Sequence, residues 1–496
     1  MSLPSGWDWI AVGEAGEYVN GHAFKPADWG SNGKPIIRIQ NLTNPHRPLN
    51  RTRLEVPSKY EVGPGELLVS WSATLDAFIW HGEPALLNQH IFRVIPNSEL
   101  VEGRLLYYWL KQAIADLSDS AHLHGSTMAH INRGPFLAHP LPLPPKSEQS
   151  RIAERLDELL SDLEAAVMEL EAAKLKLSLY RQSLLKSAVE GTLTAEWRRQ
   201  NPPSETGAEL LARIRTDRRA RWEAEQLRRF KSQGKATPAG WREKYVEFPH
   251  GEWPGPALPA SWASSSMGTC FKVAVGATPS RKVERYWGGA VPWVSSGEVR
   301  FSPITCTRES ITEAGLAESS TQINPVGSVL LGMIGEGRTR GQVAILAVAA
   351  ANNQNCAAIW VPETDMPSEF VYYWLWSRYD ETRRGNSGNN QPALNKSLVE
   401  AIPLPVPPVG EGREIVRRLS QQLDAIEQTE RDIKRQLELA TAQRQNILRA
   451  AFSGQLVPQD PNDEPASVLL ERIRTTRQAA GSPASARRGR KAKIAA

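Results

Sequence analysis

From Ile152 the apolar residues return in alternating steps of four and three: Ile152, Leu156, Leu159, Leu163, Ala166, Leu170, Ala173, Leu177, Tyr180, Leu184. This is a heptad stripe, and it predicts one long α-helix with a single apolar seam. A second run keeps the same register at Ile415, Leu419, Ile426, Ile433 and Ile447, but Gln422, Thr429, Gln436 and Gln443 stand between its apolar positions. A seam of leucines facing a half-polar seam reads as two helices made for each other. Pairing between two copies of the chain would use the same heptads. Within one chain, the segment between the helices must return before the second begins, which favours an antiparallel intramolecular pair. Elsewhere the pattern shortens to β-prone runs such as "PIIRI", "ELLVSW", "HIFRVI", "SVLLGMI" and "VAILAV", punctuated by Gly, Pro and Asn. Those stretches predict mixed α+β globules.

The helices are part of a larger duplication. "LPLPPKSEQSRIAERLDELL" from Leu141 aligns without a gap with "VPPVGEGREIVRRLSQQL", Pro144 on Pro407 and Glu148 on Glu411. "LPSGW" at Leu3 returns as "LPASW" at Leu258, and "YYWL" at Tyr107 returns at Tyr372. "RQSLLKSAVEGTL" at Arg181 mirrors "RQNILRAAFSGQL" at Arg444, and "ELLARIR" at Glu209 mirrors "VLLERIR" at Val468. The chain is two copies of one module, each a globule followed by a helix. The proline runs read as the stop that ends each globule, because proline cannot continue a strand ladder. The expected boundaries are globules at 1–145 and 258–408, helices at 146–190 and 409–453, a basic linker at 191–257 and a basic tail at 454–496.

Composition narrows the class. A chain of 496 residues is too long for one core. It has no apolar run of membrane-spanning length, and Met1–Ile10 lacks the features of a signal peptide, so a cytosolic protein is expected. Three cysteines (Cys270, Cys306, Cys356), none in a CxxC, read as reduced structural thiols. Residues 191–245 carry 13 Lys/Arg against 7 Asp/Glu, and 477–493 carry six bases and no acid. Each zone is therefore +6 in a chain of net +5, and the remainder is −7. Such zones suit a polyanion, or simply solvated helix faces.

The signature "LPLPPKSEQSRI" at 141–152, its degenerate copy "VPPVGEGREI" at 406–415, and the paired order of motifs resemble the specificity subunit of type I restriction-modification systems. The second copy departs from the pattern where Glu411-Gly412 replaces Glu-Gln. The resemblance covers nearly the whole chain. It implies two target-recognition domains, each reading one half of a split, asymmetric double-stranded DNA target, with the helices pairing as an antiparallel coiled coil. It also implies two modification subunits, which use S-adenosylmethionine to methylate adenines, and restriction subunits that translocate and cut. The chain itself would hold no cofactor, no metal and no catalytic residue. From Ile152 to Val189 is 38 residues, so the first helix would span about 57 Å, against roughly 35 Å for one turn of DNA.

Base readout needs Arg, Lys, Asn, Gln, Ser or Thr on loops and element ends. In the first globule the candidates are Arg38, Gln40, Asn41, Arg47, Arg51, Arg53, Ser126, Thr127 and Arg133. In the second they are Arg281, Lys282, Arg285, Arg338, Arg340, Asn386, Asn389, Asn390 and Lys396. Asn88-Gln89 and Asn353-Gln354 recur in both copies and read as a shared structural turn. Two other motifs are declined. "NPPS" at Asn201 lacks the aromatic of an adenine-methyltransferase motif, and "GEGRTRG" lacks both dinucleotide and P-loop spacing. His122 and His124 have no third ligand for a zinc ion. The rival to DNA recognition is a helical scaffold with two protein-binding globules and no DNA specificity.

Overall fold

The computed structural model describes residues 3–44, 46–118, 130–234, 236–248, 253, 255–335, 338–384 and 394–480. It divides into two compact units, Met1–Leu170 with Arg435–Ala496, and Glu171–Lys434. The two stem helices, Lys146–Val189 and Val409–Phe452, are 44 residues each, about 66 Å at the usual rise. Each begins in one unit and ends in the other.

The first globule contains strands β1 (Asp8–Ala11), β2 (Gly16–Asn20), β3 (Lys34–Ile37), β4 (Asn50–Thr52), β5 (Glu61–Val62), β6 (Leu67–Ser70), β7 (Asp76–Ile79), β8 (Ala85–Leu87), β9 (Ile91–Pro96) and β10 (Pro140–Leu143). They form an antiparallel sheet in the order β2-β9-β6-β7, a mixed sheet β4-β3-β8-β5, and the pair β1-β10. In the second globule β11 (Ala263–Ser266), β12 (Lys272–Val275), β13 (Trp287–Val294), β14 (Glu309–Ile311), β15 (Val329–Gly332), β16 (Val343–Ile345), β17 (Ala351–Asn352), β18 (Cys356–Trp360) and β19 (Pro403–Val406) repeat the plan. Their orders are β12-β18-β15-β16, β14-β13-β17 and β11-β19, and β3–β8 and β13–β17 are both parallel pairs. Among the described residues, only β5 lacks a counterpart. Gly21 and Gly276 follow β2 and β12 for one reason: a Cβ would sit 2.0 Å from the Asn88 carbonyl oxygen and 1.8 Å from that of Asn352.

The proline runs differ from their expected role as stops. "PLPL" and "PLPV" are themselves strands, paired antiparallel with β1 and β11. Each lies in a two-stranded sheet, where alternate backbone positions need no partner, so proline costs no ladder bond there. The alternating Leu141, Leu143, Leu404 and Val406 are buried. The helices start directly after the next prolines, at Lys146 and Val409.

The core of each globule closes over a tryptophan–glutamate clasp. Trp7 Nε1 donates to Glu148 Oε2 at 3.0 Å, and Trp262 Nε1 donates to Glu411 Oε2 at 2.8 Å. The opening "W" and the "PLPP..E" signature of each copy are thus one contact. Glu411 also accepts from Thr194 Oγ1 (2.7 Å) and Arg198 Nε (2.8 Å). Among the described residues no cation hydrogen-bonds Glu148 and its Oε1 has no partner, and burial pushes its carboxyl above the usual range.

The degenerate Gln149/Gly412 position has a physical reason. Gln149 is fully buried; its Oε1 accepts from the Glu102 amide (2.8 Å) and its Nε2 donates to the Leu100 and Pro144 carbonyls (3.1 and 3.0 Å). Glu102 precedes the helix Gly103–Ser118, whose first amides have no intrahelical acceptor. In the second copy Pro367 occupies that place before the helix Ser368–Ser377 and has no amide to satisfy. A Cβ on Gly412 would lie 3.5 Å from Pro367 Cδ. Glycine stands where no hydrogen-bonding side chain is needed.

In the first unit, Ile152, Leu156 and Leu160 share a core with Ile447 and Ala451, and Arg444 pairs with Glu164 at 3.3 Å. In the second, Leu184, Leu185, Ala188 and Val189 share a core with Ile415, Leu419, Leu423 and Ile426. There Tyr180 hydrogen-bonds Gln422 (3.1 Å) and Arg181 pairs with Glu430 (2.7 Å). The stem helices therefore pack against each other antiparallel. Ile433 is buried, and Leu163, Leu170 and Leu177 are partly buried.

The segments read as basic linker and tail carry helices that close the cores. Gly207–Ser232 buries Leu210, Leu211 and Ile214 in the second core, and Ala466–Ala480 buries Leu469, Leu470 and Ile473 in the first. Their first amides dock alike: Gly207 N donates to Ser261 O and Ala466 N to Gly6 O, both at 2.8 Å. Most arginines of the 207–232 helix are engaged, for example Arg213 with Glu205 and Asp365, and Arg219 with Glu223. Arg218 donates to the Gly268 and Phe271 carbonyls. Much of the helix's charge is compensated within the second unit.

Candidate nucleic-acid interface

In the first globule, β3 runs into a short helix, Ile39–Thr43. Asn41 is buried and clasps this turn: its Oδ1 accepts from Arg38 N (3.1 Å), and its Nδ2 donates to the Arg47 and Pro48 carbonyls (3.2 and 3.4 Å). The clasp presents Arg38, Gln40 and Arg47 along one rim. Arg38 lies over the Trp29 ring at 4.5 Å, and Arg47 Nη1 donates to Gln40 Oε1 at 3.4 Å.

Opposite this rim stand the β6–β7 turn and the β8–β9 turn. Trp71 packs edge-on against His90, centroids 4.8 Å apart, and donates its indole N–H to Asn20 Oδ1 (3.2 Å). Ser72 bridges to His130. Together these elements enclose a cleft of about 740 Å3, and among the described residues its lining contains no aspartate or glutamate. Three non-glycine residues have positive φ among the described residues, and two of them, Ala73 (61°) and His90 (73°), line this cleft. Each such conformation costs on the order of 1–3 kcal/mol, a strain that accumulates at functional surfaces.

The remaining candidates sort by what already holds them. Arg51 pairs with Glu83 (2.5 Å) and Lys396 with Glu400 (3.6 Å). Arg281 pairs with Glu309 and stacks over Trp287 at 3.7 Å; the same contact holds the Glu309 carboxyl below its usual range. Arg285 pairs with Glu318 (3.3 Å). Arg340 is buried and donates to the Arg383 carbonyl (2.9 Å), so it braces its own loop. Arg133 lies 5.7 Å from the Phe92 ring centroid, while Arg53, Lys282 and Arg338 are exposed. Ser126, Thr127, Asn386, Asn389 and Asn390 lie outside the described residues, as do His122 and His124. The Asn-Gln pairs sit in the same turn in both copies, where Asn88 N donates to Ile37 O and Asn353 N to Val294 O.

The second globule builds the matching rim from other residues. After β13, Glu298 Oε2 accepts from Ser295 N (2.9 Å), the same clasp that Asn41 makes with Arg38. Ser295 and Gly297 thus occupy the places of Arg38 and Gln40. A depression of about 510 Å3 beside them exposes Arg300 and Arg308. These two arginines, and Trp71 and His90 in the first globule, were missed by the sequence reading. The constant offset between the Arg38–Asn41 and Ser295–Glu298 turns was the signal that could have found the arginines. Cys270 and Cys356 are buried, and burial pushes their thiols up to about 11 and about 12, as befits inert structural groups.

The family model described as type I restriction modification DNA specificity domain matches residues 4–172 and 259–439, one match per globule with the stem that follows it. The type I restriction enzyme EcoBI specificity subunit of Escherichia coli is 25% identical over 503 residues, spanning 98% of this chain and 96% of that protein. The EcoDI specificity subunit from the same species is 25% identical over 400 residues, 78% of this chain and 80% of the relative. A chain solved in work on complex assembly and conformational transition of the type I R-M system superposes with a TM-score of 0.63 at 17% identity. It covers 92% of this chain and 100% of its own length, a likeness of fold. On the duplicated globules, the repeated clasp and a family match over both halves, the chain belongs to the type I restriction-modification DNA specificity family.

Proposed function

We infer that the chain is the DNA sequence-specificity subunit of a type I restriction-modification complex, and that each globule reads one half of a bipartite, asymmetric target. One observation carries this reading. Two globules share strand order, clasp and helix junction, yet carry Arg38 and Gln40 on one rim and Ser295 and Gly297 on the other. A common scaffold with different readers is what an asymmetric target requires. A cleft with two arginines and no carboxylate among the described residues suits a polyanion, whereas a protein-binding scaffold gives no reason for that charge pattern.

Two modification subunits would hold S-adenosylmethionine and methylate adenines, and restriction subunits would translocate and cut. This chain supplies position and no catalytic residue, and the complex works in the cytoplasm. Co-expression with the modification subunit, followed by genome-wide mapping of methylated adenines, tests the reading. A two-part asymmetric motif is expected, with neither methyl transfer nor cleavage by the purified chain alone. Methylation by the chain alone, or methylation without sequence dependence, would overturn it.

A further inference from the structure

We propose that Gln40 and Arg47 are specificity-determining residues of the first recognition domain and that together they read a guanine. The inference rests on the DNA-specificity reading above and adds to it a residue pair and a base.

Base readout places three demands on a side chain. A base-reading side chain must be exposed, must not be held by a carboxylate, and must be fixed in direction by its own scaffold. Arg51, Arg281, Arg285 and Lys396 are ion-paired, and Asn41 and Arg340 are buried. Arg47 is exposed, Gln40 is partly exposed, and the cleft they border is lined by no acid among the described residues. Their direction is fixed by the Asn41 clasp, which holds the backbone carbonyl of Arg47 rather than its side chain.

The hydrogen-bond inventory then selects the base. Gln40 Oε1 accepts from Arg47 Nη1 at 3.4 Å, which takes one of its two lone pairs within the pair. What remains outward is chiefly the Gln40 NH2 and the other guanidinium N–H groups, all donors. In the major groove, adenine offers N7 as acceptor but N6 as donor, and cytosine offers a donor at N4. Guanine presents two adjacent acceptors, N7 and O6. A face dominated by donors therefore matches guanine better than adenine or cytosine. A free glutamine favours adenine; beside Arg47 its acceptor is shared, and the surrounding donors shift the match toward guanine. Arg38, stacked on Trp29 at the same rim, is placed to grip a neighbouring phosphate.

The test uses the co-expressed complex and adenine-methylation mapping. In the wild type, the half of the motif governed by residues 1–145 should contain a guanine. Arg47→Ala and Gln40→Ala should each relax that one position, with discrimination falling roughly 5- to 150-fold. The second half should be untouched. Gln40→Glu supplies an acceptor and should move the preference at that position toward cytosine. Arg38→Ala should weaken binding evenly across sequences and lower the salt slope by about one.

A first half without guanine overturns the proposal, as does an unchanged motif in both alanine variants. Wild-type discrimination in Arg47→Lys also overturns it, because lysine keeps the charge and loses the fork, the behaviour of a phosphate contact. Because Arg47 is exposed and its backbone anchor remains, the variants should assemble at wild-type yield, checked by co-purification with the modification subunit. A wild-type complex without any sequence-specific methylation would instead defeat the DNA-specificity reading itself, so the two failures are separable.

Discussion

Replacing Gln149 by alanine removes one side chain and strands three backbone groups. The Glu102 amide loses its acceptor, and the Leu100 and Pro144 carbonyls lose their donor. A hydrogen bond contributes about 1 kcal/mol net, and a buried group left unsatisfied costs about 1–3 kcal/mol. Three such losses, softened by relaxation, come to about 3–4 kcal/mol, a large part of a domain's whole stability of roughly 5–15 kcal/mol. Hydrogen exchange read by mass spectrometry reports the two units separately. Protection of the helix Gly103–Ser118 and of β1 and β10 should fall by that amount, while peptides of Glu171–Lys434 keep theirs. The reciprocal change, Gly412→Gln, meets Pro367 rather than an amide and should give the second unit no added stability. Protection in the first unit unchanged to within about 0.5 kcal/mol, or a second unit stabilised by Gly412→Gln, would refute the account of why the signature differs between the copies.

Other consequences can be checked in the same preparations. Glu148 binds its proton more tightly folded than unfolded, so its ionisation withdraws stability as pH rises from the ordinary carboxylate range through its raised pKa. Glu148→Gln should flatten that decline in exchange protection of the first unit, and a steeper decline would contradict it. Glu411→Gln strips Arg198 of its charged partner and should cost the second unit about 2 kcal/mol, measurable by the same exchange and absent if the pair is dispensable. Gly276→Ala drives a methyl group onto the Asn352 carbonyl and should lower second-unit stability by about 3 kcal/mol; wild-type unfolding would show that the approach is not rigid. Exchanging residues 258–401 for the segment of a relative should change one half of the methylated motif and leave the other as it was.

What the sequence disclosed and what it hid follow from the range of the interactions. The stem was legible because a heptad writes itself every few residues, and the duplication because whole motifs recur in order. Helices in 191–257 and 454–480 were harder to see, since Leu210, Leu211, Ile214 and their counterparts sit among arginines that mask a three-residue apolar stripe. The reason for Gly412 lies at Pro367, far upstream in sequence. Arg281 looked available until Glu309 was found beside it, and nothing in a sequence pairs those two. The cleft was least legible: it joins Arg38, Trp71, His90 and His130 from four segments, and neither Ala73 nor His90 carries any mark of a left-handed backbone.

The crosswise closure of the cores has a consequence for synthesis on the ribosome. The second unit is contiguous, Glu171–Lys434, whereas the first needs residues from both ends of the chain. Trp7, Leu141 and Ile152 emerge early, but Ile447, Ala451, Leu469 and Leu470, which complete their core, come last. At about 5–20 residues per second, the intervening segment takes roughly 13–50 s to make. The globule that begins first therefore finishes second. During that interval the faces of Leu156 and Leu160 wait uncovered, the period in which a nascent chain most needs a chaperone or a nearby partner. Truncation at Lys434 should strand the early globule in that unfinished state while the contiguous unit still folds.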